Sequence, residues 1–270
     1  MLGSDLVEYL NSQGVSVTGF HRNNLDLESQ DPLTSLFGFD VIVNCIAYTK
    51  VDMAEDDPEK AHLANGLIPR RLARDLKDQQ TRLVHISTDY IFDGNKGSPY
   101  LPEDKRSPLG IYGKTKAQGE EVVLREASNS QVIRTSWLYG ANGKCFPKTI
   151  GAKLLAGDEV AVVGDQFGSP THTLDLAEFI YRAASEPLDQ RILHGVASGT
   201  ASWFEFARAV SEAIGSSTAG RSLATSEYPT RAQRPLDSTL EPSLIAGWQI
   251  GPWEERWRLA ADRVLRDLRN

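Results

Sequence analysis

The chain has 270 residues and a formal net charge of −7, and 40% of its residues are hydrophobic. This length can bury a full core as one large domain or two modest ones, and an acidic chain without a long basic run argues against a nucleic-acid partner. No apolar stretch approaches the ~18 residues of a membrane span and no signal-peptide core is visible, so we expect a cytoplasmic protein that does not contact a membrane. Two cysteines and five histidines without zinc-ligand spacing predict reduced thiols and no metal site.

The chain opens on a helical pattern. Leu6, Val7 and Leu10 predict a first helix that ends near Gly14, and Gly3 resembles the last glycine of a phosphate loop. A dinucleotide-binding unit has a central strand before this helix, and unpaired interior strand edges cost about 1–3 kcal/mol per buried group. We therefore expect the natural chain to begin roughly 10–12 residues earlier, so that its first strand is missing here. The alternative is a complete chain in which another segment fills the gap.

Short apolar runs alternate with helical patterns along the rest of the chain. The predicted strands are Val15–Phe20, Asp40–Cys45, Arg82–Ser87, Gln131–Trp137 and the shorter Ile192–Val196. The predicted helices between them are Pro58–Lys77, Tyr112–Glu126, Pro147–Leu155 and Leu174–Ala184. This alternation predicts an α/β fold with a Rossmann-like, doubly wound parallel sheet. Ligands in such sheets bind beyond the carboxyl ends of the strands, where small, hydroxylated and aromatic residues recur in this chain.

A tyrosine and a lysine four residues apart are the most informative pair. Tyr112 and Lys116 project from one face of a predicted helix, and Thr88 follows the third predicted strand. A positive charge nearby should lower the pKa of a phenol, giving a proton donor for carbonyl reduction or alcohol oxidation. The spacing alone is weak evidence for a catalytic pair, since a surface helix with a packed tyrosine and a solvated lysine gives the same pattern.

Several motifs together resemble one known family. They are VIVNCIAYTKVDMAEDDPEKAHLAN, LVHISTDYIFDG, PLGIYGKTKAQGE, VIRTSWLYG, VVGDQFGSPT, HGVASGTASWFEFA and YPTRAQRPLDSTL, in this order and across nearly the whole chain. The chain resembles the dTDP-4-dehydrorhamnose reductases, which are extended short-chain dehydrogenase/reductases. The resemblance implies reduction of the C4 ketone of a dTDP-linked 6-deoxy-4-keto sugar by a reduced nicotinamide.

The resemblance also implies roles for individual residues. Tyr112 matches the proton donor, Lys116 the lysine that holds the nicotinamide ribose and lowers the pKa of the tyrosine, and Thr88 the hydroxyl beside the reacting oxygen. Asp89 and Trp137 match substrate-contacting positions. The cofactor-lining positions that match are Gly3, Asp26, Leu27, Ala47, Tyr48 and Thr49. The family usually has histidine or a similar residue where Tyr48 stands.

Without the resemblance, simpler interpretations remain open. Thr88 could cap a turn, Asp89 could bond to the local backbone, and Trp137 could be a packed aromatic residue. The preferred cofactor depends on Arg22, which follows Val15–Phe20, the run that would be the second strand of a dinucleotide-binding unit whose first strand is missing. An arginine at this position can hold a 2′-phosphate, and no acidic residue lies between it and Asp26. We expect NADPH, with NADH as a further option, unless Arg22 is simply solvated.

The carboxyl-terminal part predicts a smaller substrate-binding lobe. Arg234 is the first candidate for contacts to a sugar-nucleotide diphosphate and Arg231 the second, since arginine forks match phosphate oxygens. The family often has two arginines before the proline, and Gln233 takes the first place here. We expect a cofactor domain at 1–145 with a returning segment near 172–197, and a lobe at about 146–171 and 198–252. Residues 253–270 should form a closing helix.

Three functions compete at this level. The first is the reductase, the second is a reductase for another nucleotide-linked keto sugar, and the third is a non-catalytic regulatory subunit. A relative of this family regulates methionine adenosyltransferase, but retention of Thr88, Tyr112 and Lys116 argues against that role here. A homodimer is one option, since some family members pair through a divalent metal, although no carboxylate cluster in the sequence suggests that site.

Overall fold

The structure is a computed structural model and describes residues 1–21, 23–29, 31–216 and 220–268. In chain order the strands are β1 (Val41–Asn44), β2 (Arg82–Thr88), β3 (Ser130–Thr135), β4 (Leu138–Tyr139), β5 (Ala161–Val163), β6 (Phe167–Gly168), β7 (Thr171–His172), β8 (Ile192–His194), β9 (Ala201–Ser202) and β10 (Arg221–Leu223). Within the described part of the chain, β1, β2, β3 and β8 form a four-stranded parallel sheet in that order.

The helices are α1 (Leu2–Ser12), α2 (Val51–Asp56), α3 (Pro58–His62), α4 (Ile68–Leu76), α5 (Ile111–Glu126), α6 (Phe146–Leu155), α7 (Thr173–Ser185), α8 (Trp203–Ile214) and α9 (Trp253–Val264). A π-helical turn at Leu63–Leu67 joins α3 to α4, so the single helix predicted there is confirmed with a local widening. Shorter 3₁₀ turns lie at Thr34–Leu36, Asp89–Ile91, Thr225–Glu227 and Arg266–Leu268.

Both faces of the sheet are covered, which confirms the α/β fold. Side chains alternate between the faces along a strand, and Leu83 and Val132 pack with α4 and α5 on one side. Val84 and Ile133 pack with α1 and α7 on the other side. The long apolar runs of β2 and β3 therefore reflect burial on two faces, as expected for a parallel sheet between helical layers.

The predicted strand Val15–Phe20 is wrong. These residues form no strand ladder with any part of the described chain. The turn after α1 is closed by a hydrogen bond from the Val15 amide to the Leu10 carbonyl, 3.0 Å long. Phe20 then packs edge-on against Phe39, with ring centroids 5.8 Å apart. The apolar residues of this stretch bury side chains, but a strand also needs a hydrogen-bonded neighbour.

The carboxyl-terminal part combines α6, α8 and α9 with three two-stranded pairs, β10–β5, β4–β7 and β6–β9. α8 begins with a capping box, in which Ser202 and Glu205 each accept a hydrogen bond from the backbone amide of the other, and ends at the left-handed Gly215. One apolar cluster continues from Val84 in the sheet to Phe206 and Trp257 in these helices. The domain boundaries given above remain a prediction.

Candidate active site

The carboxyl end of β2 meets the amino end of α5. Thr88 is the last residue of β2, and Tyr112 is the second residue of α5. Gly113 permits this approach, because a Cβ atom there would lie 2.1 Å from the carbonyl oxygen of Tyr90. The chain therefore needs glycine directly after Tyr112 to bring α5 against the turn that follows Thr88.

The phenol of Tyr112 lies beside the hydroxyl of Thr88. Burial raises the pKa of Tyr112 to about 12, a hydrogen bond with Thr88 acts in the opposite direction, and the charge of Asp89 raises it further. Tyr112 also packs edge-on against Tyr90, with ring centroids 5.9 Å apart. A phenol in this setting keeps its proton at neutral pH, as a proton donor must.

Lys116 lies one turn further along α5 and is almost completely buried. Its Nζ donates a 2.5 Å hydrogen bond to the carbonyl oxygen of Ile86 in β2. Burial lowers the pKa of Lys116 to about 8, against the opposing charges of Glu120 and Cys45. The expectation that Lys116 brings the pKa of Tyr112 below its ordinary value is wrong in this structure, because burial dominates the phenol and raises its pKa.

Asp89 has its carboxylate turned inward rather than towards solvent. It is 2% exposed, and its two oxygens accept hydrogen bonds from Thr88 Oγ1 at 2.9 Å and Ser238 Oγ at 2.5 Å. Burial raises its pKa to about 6, although these hydrogen bonds lower it. The side chain thus links two hydroxyl groups, and its predicted contact with a substrate remains a prediction.

Trp137 stacks on a second tryptophan that the sequence reasoning did not select. Its ring lies 3.5 Å from that of Trp203, with 5° between the planes. Trp137 adopts a left-handed backbone conformation (φ 45°), and its Nε1 is buried without a hydrogen-bond partner among the described residues. Gly168 accommodates the ring, because a Cβ atom there would lie 2.6 Å from the indole. Trp203 opens α8, and this contact could not be inferred from its position in the sequence.

The loop after β1 is held in place by an asparagine. Asn65 accepts a 2.8 Å hydrogen bond from the Tyr48 amide and donates to the Tyr48 carbonyl at 3.2 Å. It also donates to Thr115 Oγ1 at 3.1 Å, which connects the loop containing Ala47, Tyr48 and Thr49 to α5. Asn65 lies in the π-helical turn, and such turns occur frequently at functional sites. An asparagine inside a predicted helix was the available signal for this role.

The other predicted cofactor residues have different surroundings. Gly3 lies in the first turn of α1 rather than in a loop, and a Cβ atom there would lie 3.7 Å from Cys45 Cβ. Asp26 Oδ1 accepts the amides of the two residues 28 and 29 and so stabilises an exposed turn. Leu27 packs with the α4 and α5 side of the core. Arg22 lies outside the described residues.

Both candidate phosphate-binding arginines are paired with α2. Arg234 forms two hydrogen bonds to Asp52, at 3.1 and 2.7 Å, and a further one with the Tyr90 hydroxyl. Arg231 pairs with Asp56, one turn further along the same helix. Desolvation of Arg234 lowers its pKa, but the hydrogen bond to Asp52 and the neighbouring charges outweigh this and raise it overall.

Neither a metal-binding cluster nor a membrane-spanning helix occurs among the described residues. No group of three or more histidine, cysteine, aspartate or glutamate side chains in them could hold a metal ion. No helix in this part of the chain is long and apolar enough to cross a membrane.

A sequence model of the family described as "RmlD substrate binding domain" matches residues 1–270. The chain belongs to this family. This membership confirms the resemblance seen in the motifs. The matched residues include all the strand ends and helices described above.

Individual proteins similar to this chain extend this finding. The chain is 37% identical to the spore coat polysaccharide biosynthesis protein SpsK of Bacillus subtilis over 269 residues, covering 98% of this chain and 94% of the relative. It is 36% identical to the dTDP-4-dehydrorhamnose reductase of Mycolicibacterium smegmatis over 265 residues, covering 96% and 80%. The crystal structure of the Bacillus anthracis dTDP-4-dehydrorhamnose reductase in complex with NADP superposes with a TM-score of 0.90 at 31% identity, covering 96% and 94%.

Proposed function

We propose that this chain is an NAD(P)H-dependent oxidoreductase that reduces the C4 ketone of a dTDP-linked 4-keto-6-deoxy sugar, converting dTDP-4-dehydrorhamnose to dTDP-L-rhamnose. One observation carries the proposal: Tyr112 and Thr88 lie side by side at the carboxyl end of the sheet, with Lys116 buried on the same helix. Relatives named as dTDP-4-dehydrorhamnose reductases supply the substrate class.

The residues present fit a nicotinamide dinucleotide. Lys116 Nζ carries three N–H groups, and Ile86 O is the acceptor it uses within the described chain, so donors remain for the hydroxyl groups of a ribose. Gly3 leaves the first turn of α1 without a side chain, and the amino end of a helix favours phosphate groups. When bound, the reduced cofactor supplies the hydride. NADPH is the proposed form, supported by the relative solved with NADP.

Side chains of the protein neutralise the negative charge that develops on the ketone oxygen. Tyr112 keeps its proton at neutral pH and gives it to that oxygen as negative charge appears. Thr88 lies in hydrogen-bonding contact with the phenol and so helps to hold Tyr112 in position for this proton transfer. Lys116 lies one turn further along α5, where its ammonium donates to the Ile86 carbonyl of β2 and supplies a positive charge next to this strand.

The test is NADPH oxidation with dTDP-4-keto-6-deoxy-L-mannose as substrate. Tyr112→Phe should lower kcat by about 10²–10⁴-fold, which is the usual contribution of a positioned acid. Tyr181→Phe is the matched control, because this half-buried tyrosine of α7 packs against Tyr9, and it should keep full activity. Undiminished turnover in Tyr112→Phe would contradict the mechanism, and no NADPH oxidation by the wild type would contradict the function.

A second candidate is reduction of another nucleotide-linked keto sugar. The observation that favours it is the 37% identity to SpsK, whose name gives a polysaccharide pathway and no sugar. The catalytic residues would be the same, because function within a fold is decided by the pocket. Comparing kcat/KM for a set of dTDP- and UDP-linked 4-keto sugars separates the two candidates.

A further inference from the structure

Ser238 connects the carboxyl-terminal part of the chain to the predicted catalytic hydroxyl. Its Oγ donates a 2.5 Å hydrogen bond to Asp89 Oδ2, although 149 residues separate them in the sequence. Both side chains are buried, at 1% and 2% exposure, so water does not compete for this bond. Asp89 Oδ1 in turn accepts the hydroxyl proton of Thr88 at 2.9 Å.

The segment that carries Ser238 is docked firmly on the loop after β2. Gly94 has a left-handed backbone (φ 79°), and a Cβ atom there would lie 2.7 Å from Pro235 Cβ and 2.8 Å from the Leu236 amide nitrogen. The Ser238 amide donates to the Phe167 carbonyl at 3.0 Å. This packing fixes the position of the Ser238 hydroxyl relative to Asp89.

The hydrogen bond to Asp89 determines the direction in which the Thr88 hydroxyl proton points. A hydroxyl has one proton, and Thr88 gives it to the carboxylate. The oxygen of Thr88 is then left to accept, and it receives the Tyr90 amide at 3.3 Å and lies in hydrogen-bonding contact with Tyr112. The orientation of Thr88 towards Tyr112 therefore depends on an ionised Asp89.

We propose that Ser238 is a positioning residue for the reaction, acting through Asp89 to orient Thr88 towards Tyr112. The inference deepens the proposed function and rests on it for the identity of the reacting groups. It assigns the segment 235–238 a part in turnover as well as in packing.

The Ser238 hydroxyl affects the protonation state of Asp89. Burial holds the pKa of Asp89 at about 6, and the hydrogen bond from Ser238 is the largest influence that lowers it. The titratable side chains that interact with the Asp89 charge are Tyr90 on the same turn and Tyr112 on α5. Without the serine hydroxyl the pKa should rise further, and a protonated Asp89 would donate to Thr88 and reverse their hydrogen bond.

The kinetic test compares Ser238→Ala with Ser238→Thr, which keeps a hydroxyl. The alanine variant should lower kcat about tenfold while KM for the nucleotide sugar and the affinity for NADPH stay within about twofold, and threonine should recover most of the loss. In a Thr88→Val background, Ser238→Ala should cause no further loss. An unchanged kcat, or the same tenfold loss in both backgrounds, would overturn the inference.

A second measurement does not depend on turnover. NMR titration of the ¹³C-labelled Asp89 carboxyl should show a higher pKa in Ser238→Ala than in the wild type, whereas Ser185→Ala at the end of α7 should leave it unchanged. If the wild type reduces no keto sugar, the proposed function fails and this titration still decides the link. An unchanged Asp89 pKa in Ser238→Ala overturns the inference whatever the activity.

Discussion

Arg234 and Asp52 form a two-point ion pair between segments 182 residues apart in the sequence. Nη1 lies 3.1 Å from Oδ1 and Nη2 lies 2.7 Å from Oδ2. The arginine is mostly covered, while Asp52 is 40% exposed. A planar guanidinium that meets a carboxylate in this way can meet a phosphate with the same geometry. A diphosphate would therefore compete with Asp52 for the arginine.

Asp52→Asn should strengthen diphosphate binding. Removing the carboxylate charge frees Arg234 from its strongest partner, so we expect the Kd for dTDP to fall severalfold by isothermal titration calorimetry. The loss of a partly exposed ion pair should lower the free energy of unfolding by about 1 kcal/mol or less.

Asp56→Asn is the matched control, since Asp56 pairs with the more exposed Arg231 on the same face of α2. It should change dTDP affinity less than Asp52→Asn. If neither Asp52→Asn nor Arg234→Lys changes the affinity for dTDP, Arg234 does not contact the diphosphate.

The pKa of Lys116 predicts an alkaline limit to activity. Burial holds this pKa at about 8, so the ammonium loses its charge as pH rises through about 8. If the charge is needed, kcat/KM should fall above that pH, whereas an ordinary lysine would stay charged to about 10.4. The measurement is kcat/KM between pH 6 and pH 10 with NADPH at saturation.

Over the pH range in which activity should fall, Lys116 should raise the free energy of unfolding. The folded pKa lies below the ordinary value of 10.5, so between about pH 8 and that value the unfolded chain binds the additional proton. The contribution of Lys116 to the free energy of unfolding therefore rises with pH. Urea unfolding at each pH is the control, and an activity loss that follows falling stability would refute the assignment to Lys116.

Gly168→Ala should disturb the tryptophan pair. The added Cβ would lie 2.6 Å from the Trp137 ring, which is held against Trp203 and cannot move without losing that stack. We expect a loss of about 1–3 kcal/mol in the free energy of unfolding, as for other overpacked sites. If Trp137 forms a pocket wall, KM for the nucleotide sugar should also rise.

Gly251→Ala serves as the comparison, because its added Cβ would be 3.7 Å from the nearest side chain, an ordinary contact. Chemical denaturation and steady-state kinetics on both variants check the prediction. Equal stability of the two variants would show that the indole ring can shift at little cost.

Local patterns in the sequence were sufficient for most of the fold. Apolar runs of strand length identified β1, β2, β3 and β8, and helical spacing identified α5 with Tyr112 and Lys116 on one face. The same reasoning failed at Val15–Phe20, because an apolar run does not specify a hydrogen-bonded neighbour. It also missed Asn65, Trp203 and Ser238, whose partners lie far away in the chain.

By itself the sequence determined the family, the parallel sheet and the placing of Tyr112, Lys116 and Thr88 at its carboxyl end, since these follow from periods of 2 and 3.6 residues and from ordered motifs. Only the tertiary structure decided the chemical state of these groups. A pKa depends on burial and on charges that are close in space, and those neighbours come from distant segments. For that reason the Tyr112 phenol is less acidic than the helix pattern predicts.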